Sequence, residues 1–293
     1  MNESSPNPNE LPAVLAEIVD FKRKEIEAAK LAEPLSALEA KVAKAEPTRD
    51  FFGALVKPNE PGTRIIAEIK RQSPSAGLIR PEYGFHEGQD GFVPELIAQQ
   101  YSNAGASAIS CLTDEKFFGG SLAYIHQIKS AVELPVLRKD FILDPYQITQ
   151  ARAYGADAVL LIAECLSDTQ IAELLELAGT LDLAVLLEVH STSNLLRAQP
   201  IIRASTHKKV LLGINNRDLT QMVTDLSHTT DLVELVDDRS ILVSESGIKT
   251  HADLNRLAEH RVHIALVGEH LMRHPDPGQA LKALLGTTRE DPP

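Results

Sequence analysis

Eight short apolar runs recur from Arg64 onward, at Ile65 to Ile69, Ala108 to Leu112, Pro135 to Leu137, Ala158 to Ile162, Ala184 to Leu187, Val210 to Ile214, Ile241 to Val243 and Ile264 to Val267. Helical patterns fill nearly every gap, for example Ser121 to Val132, Pro145 to Tyr154, Ser167 to Leu181 and Leu226 to Val236. Continuous apolar runs of this length suit strands buried on both faces, and a helix between successive strands makes them parallel neighbours. Eight such units in about 220 residues predict an α/β chain folded as a closed (β/α)8 TIM barrel. Ala-Gly-Ala at 104 to 106 and Tyr-Gly-Ala at 154 to 156 mark helix ends that run into strands. The alternative is an open doubly wound sheet, which would usually have fewer strands and a Gly-rich dinucleotide loop; no G-x-G-x-x-G occurs.

The predicted organisation is a disordered N-terminus over 1–10, rich in Asn, Pro and Ser, a helical extension over 11–62, the barrel over 63–286 and a C-terminal tail over 287–293. In the extension, Leu11, Val14, Leu15, Ile18, Phe21, Lys22 and Ile26 recur at helical spacing, predicting an amphipathic helix over 11–31. A second helix is expected around Leu35 to Ala45, and Pro47 to Gly62, including Phe51 to Leu55, reads as a linker. The piece has no strand signal and is too small for a core of its own, so it should pack on the barrel.

A barrel gathers the C-terminal ends of its strands at one mouth, where chemistry is expected. Strand one ends in Glu68 and Lys70, two positions apart and so on one face. Strand three ends in Arg138-Lys139-Asp140, strand five in Glu188, strand six in Asn215-Asn216-Arg217-Asp218, strand seven in Ser244-Glu245-Ser246-Gly247 and strand eight in Gly268-Glu269. One such pair alone reads as a surface salt bridge. Polar groups at six strand ends weaken that account, because burying charge is costly without a function.

The acidic balance of 41 Asp and Glu against 29 Lys and Arg, a formal net charge of -12, disfavours nucleic acid and anionic membranes as partners. An anionic ligand must then be held by a local cluster. Ser246-Gly247-Ile248 before a helix near Thr250, and Gly268 before a segment reaching Met272, suit a phosphate. Lys70, Lys139 and Arg217 supply positive charge, while Glu68, Glu188 and Glu245 can hold the ammonium groups or exchange protons. A lysine near a second lysine should have one pKa depressed. General acid catalysis and Schiff-base chemistry at Lys139 both remain open on these grounds.

No metal site is expected, since His190 and His270 lack a second ligand at suitable spacing, and Cys111 and Cys165 stand alone in apolar segments. The expected setting is a reducing cytoplasm, because no signal-peptide core or membrane-length apolar run is present.

Six segments taken together resemble indole-3-glycerol phosphate synthases: Glu-Ile-Lys-Arg-Gln-Ser-Pro-Ser at 68–75, Leu-Thr-Asp-Glu-Lys-Phe-Phe-Gly-Gly-Ser at 112–121, Pro-Val-Leu-Arg-Lys-Asp-Phe-Ile at 135–142, Leu-Leu-Glu-Val-His at 186–190, Gly-Ile-Asn-Asn-Arg-Asp-Leu at 213–219 and Ser-Glu-Ser-Gly-Ile at 244–248. The resemblance covers about residues 11–285. It implies a decarboxylating ring closure of 1-(2-carboxyphenylamino)-1-deoxyribulose 5-phosphate in tryptophan biosynthesis, without a cofactor. It implies Lys139 as general acid, Glu188 in the later proton transfers, Lys70 as second acid or anion anchor, and Glu68 and Asn215 as orienting groups. Ser73, Phe118, Leu160, Arg217 and Glu245 would surround the substrate, and Ser246, Gly247, Gly268 and Glu269 the phosphate. The expected partner is a small phosphorylated molecule; a monomer is the expectation, although nothing in the sequence sets the oligomeric state.

Two features depart from the family pattern. Glu269 puts an acidic side chain beside the expected phosphate, and Arg80 to Val93 is a long connection whose three glycines fit either a mobile flap or a surface insertion.

Overall fold

The computed structural model describes residues 11–57, 60, 62–86, 89–218 and 223–287. The disorder expected over 1–10 lies outside these residues, as does the expected tail beyond Thr287. The barrel strands are β1 (Arg64–Ile69), β2 (Ala108–Leu112), β3 (Val136–Lys139), β4 (Ala158–Ile162), β5 (Ala184–Val189), β6 (Val210–Asn215), β7 (Leu242–Glu245) and β8 (Ile264–Val267). They close in sequence order, with β1 pairing both β2 and β8 and every pairing parallel. The closed (β/α)8 barrel is thus the architecture that the alternation of runs and helices predicts.

Several strands run beyond their apolar run. β3 continues to Lys139, β5 to Val189, β6 to Asn215 and β7 to Glu245. Strand pairing is made by the backbone, so the ladder carries on through charged residues that end the hydrophobic pattern. Lys139 lies opposite Leu112, Glu188 opposite Gly213 and Glu245 opposite Asn215, which fixes these groups on paired backbone at the mouth.

Gly105 and Gly155, both at positive φ, end the helices Pro94–Asn103 and Pro145–Ala153, and the residue after each returns a hydrogen bond to the last turn. Glycine tolerates that conformation without Cβ strain, and the chain then turns into β2 and β4.

Helices α1 (Ala13–Ala32), α2 (Leu35–Val42) and α3 (Phe51–Leu55) precede β1. The third corrects the linker reading. Phe51 and Leu55, one helical turn apart, are both buried in the core, and the Asp50 side chain caps the helix by accepting from the Gly53 amide. Helix α1 lies over the barrel and buries Leu15, Ile18, Val19 and Ile26. It also buries Lys22 completely, whose Nζ lies 2.8 Å from Asp114, 2.9 Å from Asp140 and 2.9 Å from Glu25. Asp114 caps the short helix Glu115–Phe118, and Asp140 follows Lys139, so this one ammonium ties α1 to two loops of the mouth.

Candidate active site

The mouth opens into a cavity of about 690 Å³. Glu68, Lys70, Ser73, Phe118, Lys139, Leu160, Glu188, Asn215, Arg217, Glu245, Ser246, Gly247, Gly268 and Glu269 all line it, whereas Arg138, Asn216, Asp218 and Ser244, also noted at strand ends, do not.

At its centre Lys139 donates to Glu188 Oε2 at 3.1 Å and to Glu245 Oε2 at 3.3 Å. Asn215 donates to the other oxygen of Glu188 at 3.2 Å. Lys70 Nζ lies 2.7 Å from Glu68 Oε1. Two glycines make room for these carboxylates: a Cβ at 213 would overlap Glu245 and one at 268 would overlap Glu68. Gly268 therefore serves the carboxylate wall as well as the loop expected to meet phosphate.

Burial alone would lower the pKa of Lys139, but Glu188, Glu245 and Glu68 override it and hold the group well above the usual lysine value. The depressed lysine pKa expected from a lysine pair is not found at Lys139, because its surroundings are carboxylates. Burial would raise Glu68 and Glu188, yet Lys70 and Lys139 draw Glu68 down, and Lys139 and His190 draw Glu188 down. Glu245 goes the other way, raised by burial and by the neighbouring Glu188. Two adjacent carboxylates are thus driven apart, which suits one to accept a proton and the other to retain it.

One side of the cavity is apolar. Val14, Leu15 and Ile18 of α1 line it with Leu112, Leu160, Phe118 and Phe141, and the two Phe rings lie 6.2 Å apart. The other side is built from the loops after β7 and β8. Ser246 and Gly247 both have positive φ, at 68° and 80°, ahead of a helix (His251–Glu259) capped by Thr250. Such a turn at a non-glycine residue is strained, and Ser246 to Lys249 all line the cavity just ahead of the helix N-terminus, a position that suits an anion.

Glu269 is not a bare charge beside that cradle. Its carboxylate accepts from Arg217 at 3.2 Å and from Arg273 at 2.8 Å, and Arg217 also donates to Ser75 Oγ at 2.7 Å. The pairing resolves the first departure by neutralising the acid locally. In the long connection, Gly91 is held by close packing, since a Cβ there would overlap the Glu82 carbonyl. Arg80 donates to the carbonyls of His274 and Pro275, and no described residue from 80 to 93 lines the cavity. These contacts support the insertion over the flap.

Sequence reasoning missed Val14, Leu15, Ile18, His190, Lys249 and Arg273 in the cavity wall. The apolar stripe of α1 was legible, but its spacing says only that something covers it. His190 stands two positions after Glu188 in the same strand direction, a signal that was available.

The family model described as indole-3-glycerol phosphate synthase matches residues 15–284. An indole-3-glycerol phosphate synthase of Rhodopirellula baltica is 48% identical over 254 residues, covering 87% of this chain and 92% of that protein. One of Albidiferax ferrireducens is 45% identical over 278 residues, covering 94% and 98%. Among solved structures, a 3-hexulose-6-phosphate synthase superposes with a TM-score of 0.58 at 17% identity, covering 76% of this chain and 99% of that one. The tryptophan synthase α-subunit of Pyrococcus furiosus superposes at 0.56 and 12% identity, covering 76% and 98%. These two likenesses concern the fold alone.

Proposed function

The chain belongs to the indole-3-glycerol phosphate synthase family, and we propose that its charged cavity closes the indole ring by general acid–base catalysis. The enzyme is a decarboxylating lyase of tryptophan biosynthesis, converting 1-(2-carboxyphenylamino)-1-deoxyribulose 5-phosphate to indole-3-glycerol phosphate, carbon dioxide and water.

The carrying observation is Lys139, shared at 3.1 and 3.3 Å between Glu188 and Glu245 on the floor of a cavity with one apolar and one anion-suited side. The substrate aryl ring would lie against α1, Phe118 and Phe141, with its phosphate at Ser246, Gly247 and the start of the helix after Gly268. Lys139 then gives a proton to the ketone oxygen while the carboxylate-bearing ring carbon attacks the carbonyl carbon. Carbon dioxide leaves, the hydroxyl departs as water on a second proton given by Lys70, and Glu188 accepts the proton released as the pyrrole ring becomes aromatic. Asn215 orients Glu188, Glu68 holds Lys70 as second acid or anchor, and Arg217 and Glu245 support the substrate from the rim and floor.

Schiff-base chemistry requires a neutral amine. Three carboxylates hold Lys139 as an ammonium, which favours the acid role. The proton would leave only for a strongly basic acceptor, as the developing alkoxide is.

The helices over 11–62 would act as part of the barrel's site, because α1 supplies a wall of the cavity. Cys111 and Cys165 are both buried and unpaired, which supports a reducing cytoplasm. Among the described residues no helix is long and apolar enough to cross a membrane.

Growth of indole fluorescence from the carboxyphenylamino substrate, measured beside Lys139→Met, tests the reading. An inactive unaltered protein or an undiminished variant would sink it, and borohydride trapping at Lys139 would favour the Schiff-base alternative.

A further inference from the structure

The cations of the cavity fall into two groups. On the floor, Lys70 is matched with Glu68 at 2.7 Å, and Lys139 with Glu188 and Glu245 at 3.1 and 3.3 Å. On the rim stand Arg217, Lys249 and Arg273, and the acid lining the rim with them is Glu269. His270, in the same wall, is pushed toward its neutral form by burial. Three cations against one acid leave the rim two positive charges, as many as a phosphate dianion cancels.

The rim adjoins the turn expected to meet phosphate. Arg217 pairs with Thr224 in an isolated antiparallel bridge, and a Cβ at Gly247 would come within 2.9 Å of the Thr224 methyl. The loop that carries Arg217 therefore lies against the Ser246–Gly247 turn. Glu269 follows Gly268 directly.

Glu269 divides its oxygens between the two arginines. Oε1 accepts from Arg273 Nε at 3.0 Å and Nη2 at 2.8 Å, and Oε2 accepts from Arg217 Nη2 at 3.2 Å. Arg273 is one helical turn further on, an ordinary pair on a helix surface. Arg217 lies 52 residues away in the chain, so helix geometry does not account for the second contact. The other edge of the Arg217 guanidinium is fixed by Ser75, whose Oγ accepts from Nη1 at 2.7 Å. An ionised carboxylate only accepts, and it offers a guanidinium the same kind of charged oxygen that a phosphate does. The pair is also weak enough to yield, because Arg217 and Glu269 are 22% and 32% exposed in their side chains and are joined by a single hydrogen bond.

We propose that Glu269 is a resident stand-in for the substrate's phosphate: it holds Arg217 in the free enzyme and yields it to the arriving dianion. This rests on the phosphate end of the ring-closure reading. Without the acid, two guanidiniums would repel each other across the rim and Arg217 would lose a partner that sets its direction. With it, the dianion must compete with a carboxylate that stays within reach. Glu269 thus keeps the arginine in place, weakens phosphate binding and speeds release of a product that carries the same phosphate. It acts through Arg217, as a positioning residue.

The test is the binding of inorganic phosphate, by calorimetry and as a competitive inhibitor, to the unaltered protein, Glu269→Gln and Glu269→Ala. Both variants remove the charge, and Gln keeps the shape. Phosphate should bind each about fivefold more tightly, the scale of one or two half-exposed ion pairs. KM should fall with it, and kcat should not rise, since product is then held more firmly. A carboxylate that merely braces the helix or the arginines would give the opposite sign, weaker phosphate binding on its removal. Unchanged or weaker phosphate binding in the variants would therefore overturn the stand-in. Should Glu269→Ala fail to fold, the direction of the change in Glu269→Gln decides alone. An unaltered protein that does not bind phosphate would remove the phosphate end of the ring-closure reading, and the stand-in with it. One that binds phosphate but forms no indole would remove the chemistry alone, and the sign of the binding change would still judge Glu269.

Discussion

Gly268 stands where any side chain would collide with the carboxylate of Glu68. The missing Cβ on β8's end lets a buried carboxylate on β1 turn into the barrel and hold Lys70 at 2.7 Å. Gly213 does the same for Glu245. The charged floor of the site thus depends on absent atoms as much as on the acids and lysines themselves.

Gly268→Ala should displace Glu68 and lower kcat by at least about tenfold, the scale of a lost orienting or proton-transfer group. Glu68→Gln, which keeps the shape but not the charge, should also lower kcat more than affinity. Steady-state kinetics on both variants checks this, and normal turnover in Glu68→Gln would make Glu68–Lys70 an ordinary ion pair.

Lys22→Met should be strongly destabilising. It leaves Asp114 and Asp140 buried without their shared cation, and breaking a buried ion pair from one side costs about 3–5 kcal/mol. Urea unfolding should show this loss, and the double variant Lys22→Met with Asp114→Asn should recover part of it. Equal midpoints for the single variant and the unaltered protein would remove Lys22 as the clasp of α1.

Acid should unfold the protein through its mouth. Asp140 has an ordinary pKa of 3.8 and Glu188 of 4.5, and both are lower in the fold: burial opposes this, but Arg138 and Lys22 act on Asp140 and Lys139 on Glu188. The unfolded chain then binds more protons than the fold, so stability is present above those ordinary values and is lost as pH falls below them. Glu245, raised by burial and by Glu188, works in the opposite sense. Thermal melts from pH 6 downward should show Tm falling below about pH 4, and Asp140→Asn should flatten that slope.

Phe85→Ala should leave kcat and KM within about twofold of the unaltered enzyme, as expected for a surface position away from the site. Phe85 is 72% exposed and lies outside the cavity wall, with Arg71 stacked on its ring at 5.1 Å. A large change in KM would bring back the flap.

The barrel was legible because eight buried strands and their helices impose two different hydrophobic periods that no other common architecture repeats so often. The strand-end residues were legible for the complementary reason, that charge closing an apolar run is anomalous. Phe51 to Leu55 was misread because Pro47, Pro58 and Pro61 around it signal a linker, while its helix exists by burying Phe51 and Leu55 against the barrel. The depressed pKa expected of one lysine in a pair is not met at Lys139 because the sequence names its charged companions without their distances, and electrostatic interaction depends on distance and burial.

The amino-acid sequence by itself determined the strand count, the order of the units and which strand ends carry charge to the mouth, since each follows from local periodicity and from the parallel closure of the barrel. Tertiary structure alone decided which carboxylate faces which lysine, that α1 walls the cavity, and that the His190 ring stands 3.2 Å from both Glu188 and Glu164. Those relations join residues far apart in the chain, and their energies are set by a few ångströms of separation and by exclusion of water, which no one-dimensional pattern records.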